Sequence, residues 1–445
     1  MADTAENDLQ PLTPASRLFL QPLTNQVINC AVACDHPIDP DALKAELQDS
    51  AILTHPRFSS LLVTDTRGRQ HWRPTCVDLG RHVIIRREPV SSVNGYVADL
   101  TVSSPLAADK PLWEVHVLDR AVVFRVHHAL GDGASLMSVL MSCCRRTDGD
   151  LARSREMFAA TGGRGGGRGW IFWTAVRVAW LTLVYVVEFV LRMVWLRDRA
   201  TVVSGGDGVE LWPRRLATAR FRLDDMKAVK GAVDGSTIND VLFGIISSGL
   251  SRYLDMRSPI AVREGEKITG MAMVNLRKQQ VESTTRWGNQ FGVILLPVYY
   301  HKNYSNPLDF VKTAKTMIDK KKLSLEALFT YKSMHLITSL FGAKFTSILN
   351  HRLVCNSTFT ISNVIGPQEK VTLAGNPVKY IRVTSSSLPH AITMHMVSYA
   401  GFADMQILVA KDIITDPKFL AKCFEDALLE MKQAAAEDIN EVNKS

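Results

Sequence analysis

At 445 residues, 46% of them hydrophobic, the chain is long enough for two domains with sizeable cores, and its composition excludes a disordered or low-complexity protein. Seven scattered cysteines, an odd number without a CxxC pair, exclude a disulfide framework, offer no metal-ligand spacing and favour a reducing compartment. The net charge of +8 suits anionic phosphates or an anionic membrane surface; no nucleic-acid partner is expected, because no recognition motif and no basic patch interleaved with aromatics accompanies it.

The N-terminus is acidic and polar (Asp3, Glu6, Asp8) and lacks the basic-then-apolar pattern of a signal peptide. The first strongly patterned strand is Val122-Val123-Phe124-Arg125-Val126, β-branched and aromatic, as a buried strand requires. It runs into His127-His128-Ala129-Leu130-Gly131-Asp132-Gly133, and a helix follows with Leu136, Val139 and Leu140 at helical spacing. A histidine leaving a strand into such a loop is held by a rigid element, and its imidazole takes a proton near neutral pH. Gly131 and Gly133 allow a tight turn, and Asp132 can hold it through an ion pair or hydrogen bonds.

Gly162–Gly169 is a flexible basic linker. Trp170 to Leu196 follows, an apolar run that as a helix extends about 40 Å, more than a bilayer core requires. Arg177, Glu188 and Arg192 fall on one narrow stripe of that helix, with Glu188 and Arg192 an i,i+4 pair. Three readings fit: a span whose stripe faces protein, an interfacial helix anchored by Trp170, Trp173, Trp180 and Trp195, or a buried crossover helix. If both flanks build one active site, a single full crossing would separate them, which favours an interfacial or re-entrant helix. Met334 to Leu353 is a second apolar stretch, read as core, as tunnel lining or as a further membrane contact.

The second half reads as another mixed α/β unit. Ser236 or Thr237 caps a helix with Asp240 in its first turn, and Val241, Leu242, Ile245, Ile246 and Leu250 form its apolar face. Gly292–Val298, Thr358–Ser362 and Met405–Val409 read as strands, and a closing helix runs from about Asp416 to Glu437. The expected division is an N-terminal domain over 1–161, a linker and apolar insert over 162–215, and a C-terminal domain over 216–445.

The spacing His-His-x-x-x-Asp-Gly resembles the signature of the CoA-dependent acyltransferase superfamily. Further segments resemble its wax ester synthase/diacylglycerol acyltransferase family, in its plant branch. These are Pro11–Phe19, Pro111-Leu112-Trp113-Glu114, Asn239-Asp240, Val274-Asn275-Leu276-Arg277, Gly288–Gly292 and Ser362–Pro367, in that order. The resemblance implies an α/β fold, a two-domain sandwich like that of chloramphenicol acetyltransferase, here with an apolar membrane-associated helical insert. It implies transfer of a fatty acyl group from acyl-CoA, as co-substrate without a bound cofactor, to a long-chain alcohol or diacylglycerol, with no acyl-enzyme. By resemblance His128 is the general base, His127 a supporting or structural neighbour, Asp132 an orienting residue paired with an unidentified arginine, and Gly133 a turn residue at a narrow mouth. The oxyanion of the tetrahedral intermediate needs donors; Asn239, Asn275 and Asn289 are candidates for this or for bracing the interface. Pro111, Leu112 and Trp113 are read as packing around the base. No metal is expected. The implied location is the endoplasmic reticulum membrane, with the plasma membrane a second possibility and the catalytic site facing the cytosol. Two alternatives remain: a soluble acyltransferase for a specialised alcohol, and a non-catalytic lipid-binding protein.

Overall fold

Strand Val27–Cys34 is buried at every position, the pattern of a central strand covered on both faces. It pairs antiparallel with Ala121–His127 on one side and with Asn376–Ser385 on the other. Val83–Ile85 and Trp113–Val117 extend this seven-stranded sheet beyond the histidine strand, and Val371–Leu373 and Arg145–Arg146 extend it the other way. A second sheet of six strands runs in spatial order Phe291–Tyr299, Lys267–Asn275, Phe359–Ile365, Ile392–Tyr399, Phe402–Ala410 and Arg214–Arg222. The computed structural model describes residues 9–88, 90–146, 168–258, 263–277, 287–301 and 306–442.

Helices cover both sheets, as the sequence periodicities require. Ile238–Arg257 begins with a reciprocal capping box in which Thr237 and Asp240 satisfy each other's backbone amides. Its Val241, Leu242, Ile245, Ile246 and Leu250 are buried in the core of the second sheet, together with residues of the closing helix Pro417–Val442. Sheet membership, however, does not follow the boundary expected at residue 216. Val371–Leu373 and Asn376–Ser385 leave the second half to complete the first sheet, and Arg214–Arg222 begins inside the expected insert. Composition reads order along the chain, whereas strand pairing is settled by non-local partners. The crossover ties the two sheets together where the histidine strand ends.

The apolar run forms a helix, Arg168–Val194. The linker residues 162–167 lie outside the described residues. Within the apolar stretch Phe172–Val194 an 18-residue window is only 6% buried, so the buried crossover reading is excluded. Part of the polar stripe does turn inward. Glu188 lies 2.6 Å from Lys267, and the buried Arg192 donates to Thr269 Oγ1 and to the Asn356 carbonyl, each at 2.7 Å. Asp198 accepts a third contact from Arg192 at 3.0 Å. Arg177 departs from that pattern and is exposed. Phe172, Trp173, Trp180, Leu183, Val187 and Trp195 face outward.

The second apolar stretch lies within a helix, Glu326–Cys355, kinked at Gly342, whose φ of 84° suits glycine. It serves two surfaces. Met334, Asn350 and Leu353 line an internal cavity, while Leu336, Leu340, Phe341 and Phe345 are exposed.

Candidate active site

The histidine strand ends at His127, and His128 sits on the wall of a cavity of about 230 Å³ between the two sheets. The His128 amide donates to Gln26 O at 2.8 Å, which anchors the backbone to the segment entering the central strand. Asn289 holds the imidazole. Its Nδ2 donates to the His128 carbonyl at 2.9 Å, and its Oδ1 lies 3.0 Å from His128 Nδ1. With the amide in that orientation, Nδ1 carries the proton and Nε2 keeps its lone pair. Phe19 stacks on the ring at 4.0 Å with planes 19° apart, and Phe291 packs at 5.9 Å. Burial holds this imidazole below the ordinary histidine value, against the pull of Asp132 and the Asn289 hydrogen bond in the other direction.

His127 has the opposite arrangement. The Ala129 amide donates to its Nδ1 at 3.1 Å, so the proton lies on Nε2, which is 3.1 Å from Asn25 Oδ1. Both nitrogens are occupied, and burial, with His128 beside it, lowers the pKa to about 4. His127 is therefore a neutral brace for the loop.

Asp132 caps the helix Gly133–Ser142 by accepting from the Ser135 amide at 3.1 Å. Its arginine partner is Arg277, with Nη1 2.8 Å from Oδ2 and Nη2 3.0 Å from Oδ1, a bidentate pair. The Gln290 amide also donates to Asp132 Oδ2 at 2.9 Å. Arg277 further reaches Gly288 O and Ser135 Oγ, at 2.5 and 2.9 Å. Asp132 therefore ties the loop after the histidines to the segment that carries Asn289. A Cβ on Gly133 would lie 3.0 Å from Val364 Cγ2, so that turn leaves little room for a side chain.

The three asparagine candidates separate. Asn275 lines the cavity, its Oδ1 held by the Arg277 amide and Nη1 at 3.1 and 3.2 Å, which leaves its Nδ2 as a donor. Asn289 is engaged on His128. Asn239 accepts from Asn363 Nδ2 at 2.9 Å and braces its helix against the second sheet behind the cavity wall, to which Asn363 belongs. Pro111, Leu112 and Trp113 are buried beside the histidine strand, where Trp113 pairs with Val126, and do not line the cavity. The Leu112 carbonyl accepts from the His127 amide at 3.0 Å, and Trp113 stacks on His82 at 4.0 Å while donating to Phe58 O at 2.8 Å.

Three residues of the site were not assigned roles from sequence. Arg277 stands in the Asn-Leu-Arg segment, but nothing local pairs it with Asp132. Trp287 donates to the Leu130 carbonyl at 2.7 Å and packs against Gly131. His395 is in register with Ser362, which lines the cavity; its pKa is lowered to about 4 by burial and by His128.

Two such sheets with a histidine on the wall of the cavity between them define a class, the two-domain CoA-dependent acyltransferases and condensation domains. Solved structures agree on the fold. Wax ester synthase/diacylglycerol acyltransferase from Marinobacter aquaeolei VT8 superposes with a TM-score of 0.60 at 18% identity, covering 96% of this chain and 100% of that one. The starter condensation domain of rhizomide synthetase, solved in complex with C8-CoA and Leu-SNAC, gives 0.56 at 11% identity, covering 98% and 96%. Residues 40–205 match the wax ester synthase/diacylglycerol acyltransferase catalytic domain, and residues 287–432 match the WS/DGAT C-terminal domain. Wax ester synthase/diacylglycerol acyltransferase 11 of Arabidopsis thaliana is 32% identical over 96% of both chains. The chain belongs to the wax ester synthase/diacylglycerol acyltransferase family.

Proposed function

We propose that this protein transfers a fatty acyl group from acyl-CoA to the hydroxyl of a long-chain alcohol or diacylglycerol, with His128 as general base. The observation that carries this reading is the His128 tautomer: Asn289 occupies Nδ1 and leaves Nε2 unprotonated on the cavity wall. An alcohol hydroxyl is a poor nucleophile at neutral pH, so its proton must leave as its oxygen attacks the thioester carbonyl. His128 Nε2 takes that proton. The tetrahedral intermediate collapses with cleavage of the C–S bond, and the imidazolium returns the proton to the CoA thiolate. The products are an ester and free CoA, so no cysteine need be acylated. Asn275 Nδ2 is the oxyanion donor in this scheme. Asp132, Arg277 and Gly133 shape the loop rather than touch the reacting atoms.

The substrates' apolar chains suit the walls. Leu18, Met137, Phe189, Met271, Val293 and Leu353 surround the cavity, and Phe189 belongs to the apolar insert helix. The same helix therefore contributes to the cavity with one side and exposes tryptophans on the other. We assign it to the membrane interface, with the bilayer on the face of Trp173, Trp180 and Trp195. Its last turns are held by Lys267, Thr269 and Asn356 of the second sheet region, which supports a helix lying along the body rather than crossing away from it. An endoplasmic reticulum membrane with a cytosolic active site fits this arrangement. The domain division over 1–161, 162–215 and 216–445 remains our description of chain order, with a two-strand exchange between the sheets. Ester synthesis from labelled acyl-CoA by wild type and His128→Ala tests the reading: a catalytic base predicts loss of product in the variant, and a lipid-binding protein makes no ester with either.

A further inference from the structure

Away from the cavity, the segment following the insert helix meets the end of the kinked helix. His351 and Cys355 lie four residues apart on Glu326–Cys355 and so share one face. Asp207 and Glu210 reach the same point from the chain that leaves the insert. His351 Nε2 lies 3.6 Å from Asp207 Oδ1 and 3.5 Å from Glu210 Oε1, while Cys355 Sγ lies 3.6 Å from His351 Nδ1 and 4.0 Å from Nε2. The Asp207, His351 and Cys355 donor atoms all lie within 4.8 Å of one another.

These separations are long for N···O hydrogen bonds. The two N···O separations match another geometry, with the sulfur slightly further out. Donors bound at 2.0–2.3 Å to one tetrahedral ion stand about 3.3–3.7 Å apart, the edges of the tetrahedron. The other oxygen of the Glu210 carboxylate, Oε2, is buried without a hydrogen-bond partner, while the side chain as a whole is partly exposed. Arg214, close by, directs its guanidinium to the carbonyls of His390, Val209 and Leu388, at 2.9, 2.7 and 2.7 Å. Asp207, His351 and Cys355 thus converge on one point, and Glu210 Oε1 stands beside the imidazole as a further donor.

We propose that Asp207, Glu210, His351 and Cys355 form a structural zinc site that staples the segment after the apolar insert to the kinked helix. One nitrogen, one sulfur and two carboxylate oxygens make a borderline donor set that suits zinc better than calcium or magnesium, which take oxygen alone. Binding releases the thiol proton to solvent and leaves the thiolate on the metal. The staple has a consequence for the cavity. Asn350, Leu353 and Val354, on the same turns of the helix as His351 and Cys355, form part of the cavity wall. Fixing the helix end therefore fixes that wall. The sequence expectation of no metal looked for CxxC spacing; here two ligands come from a His-x-x-x-Cys helical pair and two from a segment remote in sequence.

The test uses the full chain in detergent, with Zn²⁺ and Co²⁺ themselves as probes. After equilibration with zinc and removal of excess, the site predicts one zinc per chain by elemental analysis. Cobalt loading gives a thiolate-to-metal charge-transfer band that Cys355→Ser abolishes. Asp207 is exposed, so Asp207→Asn should fold normally and weaken cobalt binding about tenfold or more. Substoichiometric zinc, a band that survives Cys355→Ser, or unchanged affinity in Asp207→Asn would each overturn the proposal. If Cys355→Ser does not fold, the Asp207→Asn titration decides. None of these readouts depends on the acyltransferase assignment.

Discussion

At the scale of single residues, the proposed chemistry rests on the two nitrogens of His128. Burial keeps the ring neutral, so kcat/KM should stay flat through neutrality and fall only as pH drops below the ordinary histidine range and the base becomes protonated. His128→Ala should lower turnover by about 10²- to 10⁴-fold with the far-UV spectrum intact. Asn289→Ala removes the Nδ1 partner and should cost about ten- to hundredfold in kcat with little change in KM. Asn289→Asp is the sharper probe. A carboxylate on Nδ1 favours imidazolium, raises the pKa and should move the acid limb of the pH–rate profile to higher pH; an unmoved limb would mean that Asn289 does not set the state of the base. The motif histidines, Asp132 and its turn glycines were legible because strand, loop and helix are contiguous. Arg277 was not, since its partner Asp132 lies 145 residues away and pairing over that distance leaves no local pattern. Arg277→Ala leaves the buried Asp132 carboxylate without its ion-pair partner and should destabilise the protein by about 3–5 kcal/mol in urea unfolding.

At the scale of elements, the insert helix carries two opposed demands. Its exposed tryptophans suit the membrane interface proposed above, and its Arg192 is held by protein. Trp173→Glu with Trp180→Glu should reduce co-sedimentation with phosphatidylcholine–phosphatidylserine vesicles while leaving the unfolding midpoint in detergent unchanged. Binding that persists in the double variant would assign the membrane contact elsewhere. Arg192→Ala acts on the other side, removing donors to Thr269 and Asn356 and leaving Asp198 without an ion-pair partner, and should lower stability by about 3–5 kcal/mol. Sequence periodicity placed this helix within two residues at each end, because apolar content and spacing are local properties. It could not show that Arg177 is exposed while Glu188 and Arg192 dock, since one stripe on a helix does not say which of its residues dock. The second apolar helix shows the same limit: its stretch from Met334 to Leu353 was legible, but its division between cavity and surface depends on the Gly342 kink and on what packs against each turn.

For the molecule as a whole, the two sheets form one body because Asn376–Ser385 crosses from the second half into the first sheet. Alternating strands and helices implied two α/β layers, and family motifs in order supplied the sandwich; the strand exchange lay beyond both, being a matter of non-local pairing. Burial of histidines has a global cost in acid. His82, His127 and His395 have pKa values lowered to about 4, and His390 to about 3, chiefly by desolvation. In the unfolded chain each titrates near 6.5. Between that value and the folded values, the unfolded state binds more protons than the native one, so stability falls as pH drops through this window and levels off above it. Thermal unfolding from pH 7.5 to 4.5 should show a declining midpoint, steepest below 6.5; a flat profile would mean these histidines are solvated.

Product analysis with purified, detergent-solubilised protein tests the central assignment most directly. Labelled palmitoyl-CoA is supplied with hexadecanol or diacylglycerol in parallel, for wild type and His128→Ala. A labelled wax ester or triacylglycerol that forms with wild type and disappears in the folded variant is the expected result. Ester formation undiminished in His128→Ala would contradict the role of His128, and no ester from either acceptor with folded wild-type protein would contradict the acyl transfer itself.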